Sequence, residues 1–193
     1  GGEAIDLGIA SDDEDSLRAL AAGARGADML VTLGGASVGD HDLVRKVLGQ
    51  DGLDLNFWRI AMRPGKPLLF GAIGDTPMMG MPGNPVSSLV CGIVYLRPAI
   101  RAMLGLDPHA NTQTARLGRG LPANDQRQDY LRANSSNDEN GELLVTPFEK
   151  QDSSMLSRLA QADCLVLRPP HAEAAKPGDR VEILPLNGDY TGI

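Results

Sequence analysis

With 193 residues, 42% of them apolar and 22% charged, the chain has the composition of an ordinary globular protein, long enough for one large domain or two small ones. A net charge of −7 argues against the broad basic face that nucleic acid requires. No apolar run reaches the roughly 20 residues of a bilayer span: the longest, residues 86–96, is broken by Ser87, Ser88 and Gly92 and closes on Arg97-Pro98, so neither nucleic acid nor a membrane is expected as a partner.

Residues 5–9, Ile-Asp-Leu-Gly-Ile, alternate as a short strand does. Ser11-Asp12-Asp13-Glu14 has the form of a capping box, with Ser11 as the cap. Leu17, Leu20, Ala21 and Ala24 then recur on one helical face, up to a stop at Gly26. Residues 29–33 read as a buried strand ending at Gly34-Gly35. A second helix follows from near Asp40, with Leu43, Val44, Val47 and Leu48 inward. Strand, helix, strand, helix at this spacing predicts βαβ units and a parallel sheet. Residues 55–62 form the next strand, which sets Phe57, Arg59, Ala61 and Arg63 on one face by its period of two. Residues 67–71 and 77–81 are further short apolar segments with a turn at Gly74-Asp75 between them. Asn84 is a natural N-cap and Pro85 suits the first helical position, opening a long helix that buries Val86, Leu89, Val90, Ile93 and Val94. Pro98 is expected to kink or restart that helix before its end near Gly105.

Composition changes at residues 107–111. Residues 112–117 and 128–134 are polar alternating segments, and strands are predicted at 142–146, 164–168 and 181–184. A hairpin turn at Asn140-Gly141, a Lys176-Pro177-Gly178-Asp179 turn and a short helix over 154–160 complete a second, mostly β domain. The boundary is expected between domains 1–108 and 109–193. Cys91 and Cys164 show no CxxC spacing and read as buried, reduced thiols. No charged and apolar leader opens the chain, which reads as cytoplasmic, and its first residue is Gly1 rather than Met.

Three segments carry chemical information. Gly34-Gly35-Ala36-Ser37-Val38-Gly39 leaves a strand and enters a helix, so its amides and the Ser37 hydroxyl suit a phosphate, although a plain tight turn has the same form. The nearby Asp40 and Asp42 add carboxylates, as a site for phosphate with Mg2+ requires. Arg59, Arg63 and Lys66 place three positive charges close together in an acidic protein, which suits a tetrahedral oxyanion or simply a solvated surface. Pro82-Gly83-Asn84-Pro85 caps a helix and directs free amides toward the strand ends, where open α/β sheets bind ligands. His41 is the one histidine near these segments and reads as a solvated first-turn residue.

Taken in order, GGASVGDHD, MRPGKP and GMPGNPVSS resemble the molybdopterin-binding domain of the molybdopterin molybdenumtransferase family, to which the C-terminal region of gephyrin also belongs. The resemblance spans residues 3–105. The tail, with Gln151-Asp152-Ser153-Ser154, is similar to the family's small β domain. It implies an α/β fold: a three-layer molybdopterin-binding domain, here partial, followed by a small β-barrel-like C-terminal domain. The chain would begin inside the first domain, without its opening strand. It would therefore be a fragment with little activity of its own.

The implied reaction inserts molybdate into adenylyl-molybdopterin and releases AMP, with Mg2+ required. The implied assembly is a homodimer, with molybdopterin adenylyltransferase as a pathway partner. Carried over by position, Asp42 and Asp12 are expected at the Mg2+ or the diphosphate. Arg59, Arg63 and Lys66 are expected to hold oxyanions, the two arginines standing where several relatives have lysine. Gly34, Gly35, Ser37, Gly39, Pro82, Gly83, Asn84, Pro85 and Ser153 are expected to shape the molybdopterin site. The rival readings are a molybdopterin adenylyltransferase, against which the second domain argues, and a gephyrin-like scaffold module.

Overall fold

The alternation at residues 5–9 does not become a strand. The stretch makes no ladder, and Ile5 and Ile9 are 69% and 96% exposed. Alternation supplies a pleated face but not the neighbouring chain that ladder hydrogen bonds require. The computed structural model describes residues 1–35, 43–109 and 111–186. Its first regular element is α1 (Glu14–Ala22), whose N-cap is Asp13 rather than Ser11. The Asp13 carboxylate accepts the Ser16 amide at 2.7 Å, while the Ser11 carbonyl accepts from the Asp13 N–H. A carboxylate at that position also complements the positive helix end. The helix stops at Gly23, and Gly26, with φ +85°, serves the turn beyond it.

The chain continues through β1 (Leu30–Leu33), α2 (Leu43–Gln50), β2 (Leu53–Trp58), a two-residue β3 (Met62–Arg63), β4 (Leu69–Ile73) and β5 (Thr76–Met81). One sheet has the order β1-β5-β4-β2. β1 and β5 are parallel, and β4 runs antiparallel to both β5 and β2. The sheet is therefore mixed rather than parallel. Gly74-Asp75 joins β4 to β5 directly, and so short a link can only reverse the chain.

Leu69 and Met78 join Ala24, Leu30, Val44, Val47 and Leu48 in one buried cluster with α2 and the end of the α1 segment. Met79 and Met81 are also buried, and Met81 faces Gly92: a Cβ added there would lie 3.7 Å from Met81 Cε. Successive strand residues point to opposite faces, so helices cover both sides of the sheet in three layers.

The second helical layer is α3 (Pro85–Cys91), a π-helical turn (Gly92–Leu96) and α4 (Arg97–Met103). Pro98 does not break it. The Arg97 N–H reaches back five residues to the Gly92 carbonyl, and this wider turn makes room for a ring that lacks an amide hydrogen. By length and hydropathy the continuous stretch Pro85–Met103 would suffice to cross a membrane, which the residue-by-residue reading did not foresee. Its Val86, Ser87, Val90 and Cys91 are buried, as in a helix layered on a sheet.

The chain divides into two compact units: Gly1–Ile60 with Gly65–Gly105, and Ala61–Pro64 with Leu106–Ile193. The second unit contains β6 (Gln113–Leu117), β7 (Gln128–Asn137), β8 (Leu143–Pro147), α5 (Leu156–Ala160), β9 (Cys164–Arg168) and β10 (Arg180–Pro185). Among the described residues, β7, β8, β6, β10 and β9 pair in sequence, and β9 returns to β7, closing a barrel. Closure removes the unpaired edges that an open sheet would expose. Ala115, Leu117, Ala133, Val145, Val166 and Ile183 fill the interior. The short β3 joins this unit by pairing in parallel with β7, Met62 opposite Gln128 and Arg63 opposite Asp129. An excursion of four residues out of the α/β segment has no marker in the local sequence.

Candidate ligand site at the strand ends

The register of the four-stranded sheet gathers the sequence motifs at one end. Leu33, the last residue of β1, pairs with Met81, the last of β5. Gly80 pairs with Leu69 at the start of β4, and Leu69 pairs with Trp58 at the end of β2. Gly34-Gly35, Pro82-Gly83-Asn84, Lys66 and Arg59 thus leave or enter the sheet at the same edge. They are spread over three interstrand steps, about 14 Å. This is where a doubly wound sheet opens its ligand crevice.

Two of the loops touch through bare backbone. The Gly34 N–H donates to the Met81 carbonyl at 3.0 Å. A Cβ on Gly83 would stand 3.3 Å from Gly34 Cα, and one on Gly35 would meet Val44 Cγ2 at 2.3 Å. Gly34 and Gly35 also have φ of +87° and +70°, a region that side chains strain. Asn84 is the N-cap of α3, its Oδ1 accepting the Ser87 N–H at 3.2 Å, and Pro85 opens the helix as the sequence indicates. Ser88 Oγ donates to the Asn84 carbonyl at 3.0 Å and also to that of Pro82, tying the loop onto the helix. Pro82 is buried while Gly83 is exposed, so the tip of this loop is open to a ligand.

The three basic residues do not share a strand face. β2 ends at Trp58, and Arg59 has φ +69°, a left-handed conformation costly for a residue with a side chain. Its guanidinium lies 3.9 Å over the Trp58 ring, a cation–π contact. The Arg59 N–H donates to the Leu68 carbonyl at 3.0 Å and the Ile60 N–H to the Lys66 carbonyl at 2.9 Å. These bonds bring the backbones of Arg59 and Lys66 together, and Lys66 is exposed. Arg63 belongs to the barrel unit. Its Nε donates to Asp129 Oδ1 at 2.9 Å, its Nη2 contacts Asp129 Oδ2, and its Nη1 lies 3.5 Å from Asp125.

Of the remaining expected site residues, Asp12 is exposed just before α1. Ser37, Gly39 and Asp42, with Asp40 and His41, lie outside the described residues. Ser153 is half-buried in the barrel unit, in a turn where Asp152 Oδ1 accepts the Ser154 N–H at 2.8 Å. That hydrogen bond holds the Asp152 carboxyl below the usual carboxylate range. The turn is anchored by a buried cation that the sequence did not single out. Arg132 is 1% exposed; its Nε donates to Gln151 Oε1 at 3.1 Å and its Nη1 to the Asp152 carbonyl at 3.1 Å. Gln151 in turn donates to the carbonyls of Arg132 and Phe148. Partners 19 positions apart leave no local signal. Both cysteines are free and buried, and burial pushes the Cys91 thiol up to about 12 and the Cys164 thiol up to about 11.

The chain matches known proteins over both units. Residues 1–102 match a family described as the probable molybdopterin binding domain, and residues 114–186 match the MoeA C-terminal region, domain IV. It is 33% identical over 192 residues to the molybdopterin molybdenumtransferase of Haemophilus influenzae, covering 96% of this chain and 46% of that protein. The protein of that name from Bacillus subtilis is 31% identical over 180 residues, covering 92% and 42%. Among solved structures, a molybdopterin biosynthesis MoeA protein from Pyrococcus horikoshii superposes with a TM-score of 0.77 at 31% identity, covering 97% of this chain and 45% of that one. The chain thus spans a little under half the length of these relatives. With one unit matching the molybdopterin binding domain and the other matching domain IV, the chain belongs to the molybdopterin-binding-domain family of molybdenum cofactor biosynthesis, in the MoeA-like form that carries the domain IV barrel.

Proposed function

We propose that the protein acts in molybdenum cofactor biosynthesis as a molybdopterin molybdenumtransferase, placing molybdate on adenylyl-molybdopterin with release of AMP. The observation that carries this reading is the convergence of the Gly34-Gly35 and Pro82–Asn84 loops with Arg59 and Lys66 at one end of the sheet. The bare-backbone loops admit a phosphate closely, and the amides at the start of α3 favour negative charge. Arg59 and Lys66 bind oxyanions, diphosphate or molybdate, by charge-assisted hydrogen bonds. Arg63 is assigned to the same task, for which an anion must compete with Asp129 and Asp125. Ser153 is assigned to the substrate site.

Mg2+ takes one or two carboxylates together with substrate oxygens and water. Asp12 fits that donor set, being an exposed carboxylate with no hydrogen-bond or ion-pair partner among the described residues. Among the same residues no three Asp, Glu, His or Cys side chains gather as a metal cage. Asp12 and Asp42 would hold Mg2+, which when bound neutralises the diphosphate and polarises its phosphorus. The reading also carries a homodimer, a cytoplasmic location and molybdopterin adenylyltransferase as the supplier of substrate.

The test is AMP release from adenylyl-molybdopterin, measured on the 193-residue chain and on the full-length gene product. Release that depends on molybdate and Mg2+, and falls about 10- to 100-fold in Lys66→Ala or Arg59→Ala, is expected of the full-length protein. Adenylyl transfer that ignores molybdate would sink the transferase reading in favour of an adenylyltransferase.

A further inference from the structure

The barrel unit contains a cavity of about 500 Å³, enough for a small organic ligand. Arg119, Lys150 and Arg158 line it, with Thr146, Phe148 and Met155 among its other walls. Glu149 is the one carboxylate in the lining, so two positive charges are left over, in a protein whose net charge is −7. Each cation keeps donors free. Lys150 is exposed and has no hydrogen-bond or ion-pair partner among the described residues. Arg158 is oriented by the Phe148 ring, 5.4 Å away, and by Gln161 at 3.4 Å, which leaves other edges of its guanidinium open.

Arg119 donates from Nη2 to the Phe148 carbonyl at 3.2 Å, and its Nη1 stands 3.7 Å from a Glu149 that is 88% exposed, a contact weak enough to yield. Its Nε is buried and meets no acceptor. Phe148 and Met155 supply a flat, polarisable wall of the kind that packs against a planar ring.

We propose that this cavity binds a phosphate monoester carried on a small planar ring. The dianionic phosphate sits among Arg119, Lys150 and Arg158, and the ring lies against Phe148 and Met155. The site rests on barrel residues alone and stands or falls independently of AMP release at the strand-end loops.

Phenyl phosphate, inorganic phosphate and benzyl alcohol serve as probes, titrated by calorimetry into the 193-residue chain at low ionic strength. Phenyl phosphate is expected to bind one saturable site below about 1 mM. Inorganic phosphate is expected to bind about tenfold more weakly, and benzyl alcohol not at all. Lys150→Ala and Arg158→Ala should each weaken phenyl phosphate about tenfold, while Lys176→Ala, an exposed lysine outside the cavity, should not. Melting curves show whether Arg158→Ala still folds; Lys150→Ala, at an exposed side chain, decides the matter if it does not. No saturation by about 10 mM, equal affinity for the two phosphates, or equal weakening by Lys176→Ala would each overturn the proposal.

Discussion

Gly35 combines a φ of +70° with a neighbour, Val44 Cγ2, that would stand 2.3 Å from any added Cβ. Replacing it with alanine strains the backbone and displaces a core valine together. Gly35→Ala should cost about 1–3 kcal/mol of stability, read as a lower urea midpoint at unchanged slope. Arg132 presents the opposite case, a long side chain almost wholly enclosed. Truncating it leaves a cavity, strips the Asp152 carbonyl of its guanidinium donor and leaves Gln151 Oε1 only the Arg132 backbone N–H. Arg132→Ala should cost about 2–5 kcal/mol in the same measurement.

Asp125 is an acid-side marker. Hydrogen bonds from the Arg127 side chain, then its backbone, lower the carboxyl to about 2. Its ordinary value is about 3.9, so the folded state favours the charged form. The contribution is complete above that value and disappears as pH falls through about 2. Carbon-detected titration of Asp125 should show the low midpoint, and Arg127→Ala should return it toward about 3.9. The Asp125–Arg127 pairing was within reach of sequence reasoning, being two residues apart; the Arg132–Gln151 clamp was not.

At the scale of elements, the helix that begins at Asn84 and Pro85 follows directly from the chain. The cap accepts an amide hydrogen, proline needs none, and the fold uses both. Asn84→Ala should lower the urea stability by about 1 kcal/mol, because the Ser87 N–H loses its Oδ1 acceptor at the start of the helix. The Gly74-Asp75 and Asn140-Gly141 turns were equally legible, since both force a reversal that nearby strands complete as hairpins. Residues 5–9 and 55–62 were misread for a common reason. Alternation reports a side-chain pattern, whereas a strand exists only where another strand meets it. The first stretch has no partner among the described residues. The second is cut at Trp58 by the left-handed turn at Arg59, with Met62-Arg63 pairing in the other sheet. Pro98 was expected to kink or restart the helix, and α4 does restart at Arg97-Pro98, after a π-helical turn whose wider backbone accommodates the ring.

At the scale of the whole molecule, low turnover is expected of the 193 residues by themselves, because they cover a little under half the length of the relatives they match. AMP release should be low in the 193-residue chain. In the full-length product it should be lost on chelation of Mg2+, and both Asp12→Asn and Asp42→Asn should raise the Mg2+ concentration required. A chain that turned over as fast as the full-length product would overturn that expectation. The family, the order of the three motifs and most helix and strand positions were determined by the sequence itself. They rest on local rules, such as caps, turns and periodicity, which act within a few residues. Tertiary structure alone decided that β4 runs against its neighbours, that Arg63 leaves the β2 strand and pairs with Asp129, and that Arg132 anchors the turn containing Ser153. These outcomes depend on contacts between residues far apart in the chain, whose energies no local stretch contains.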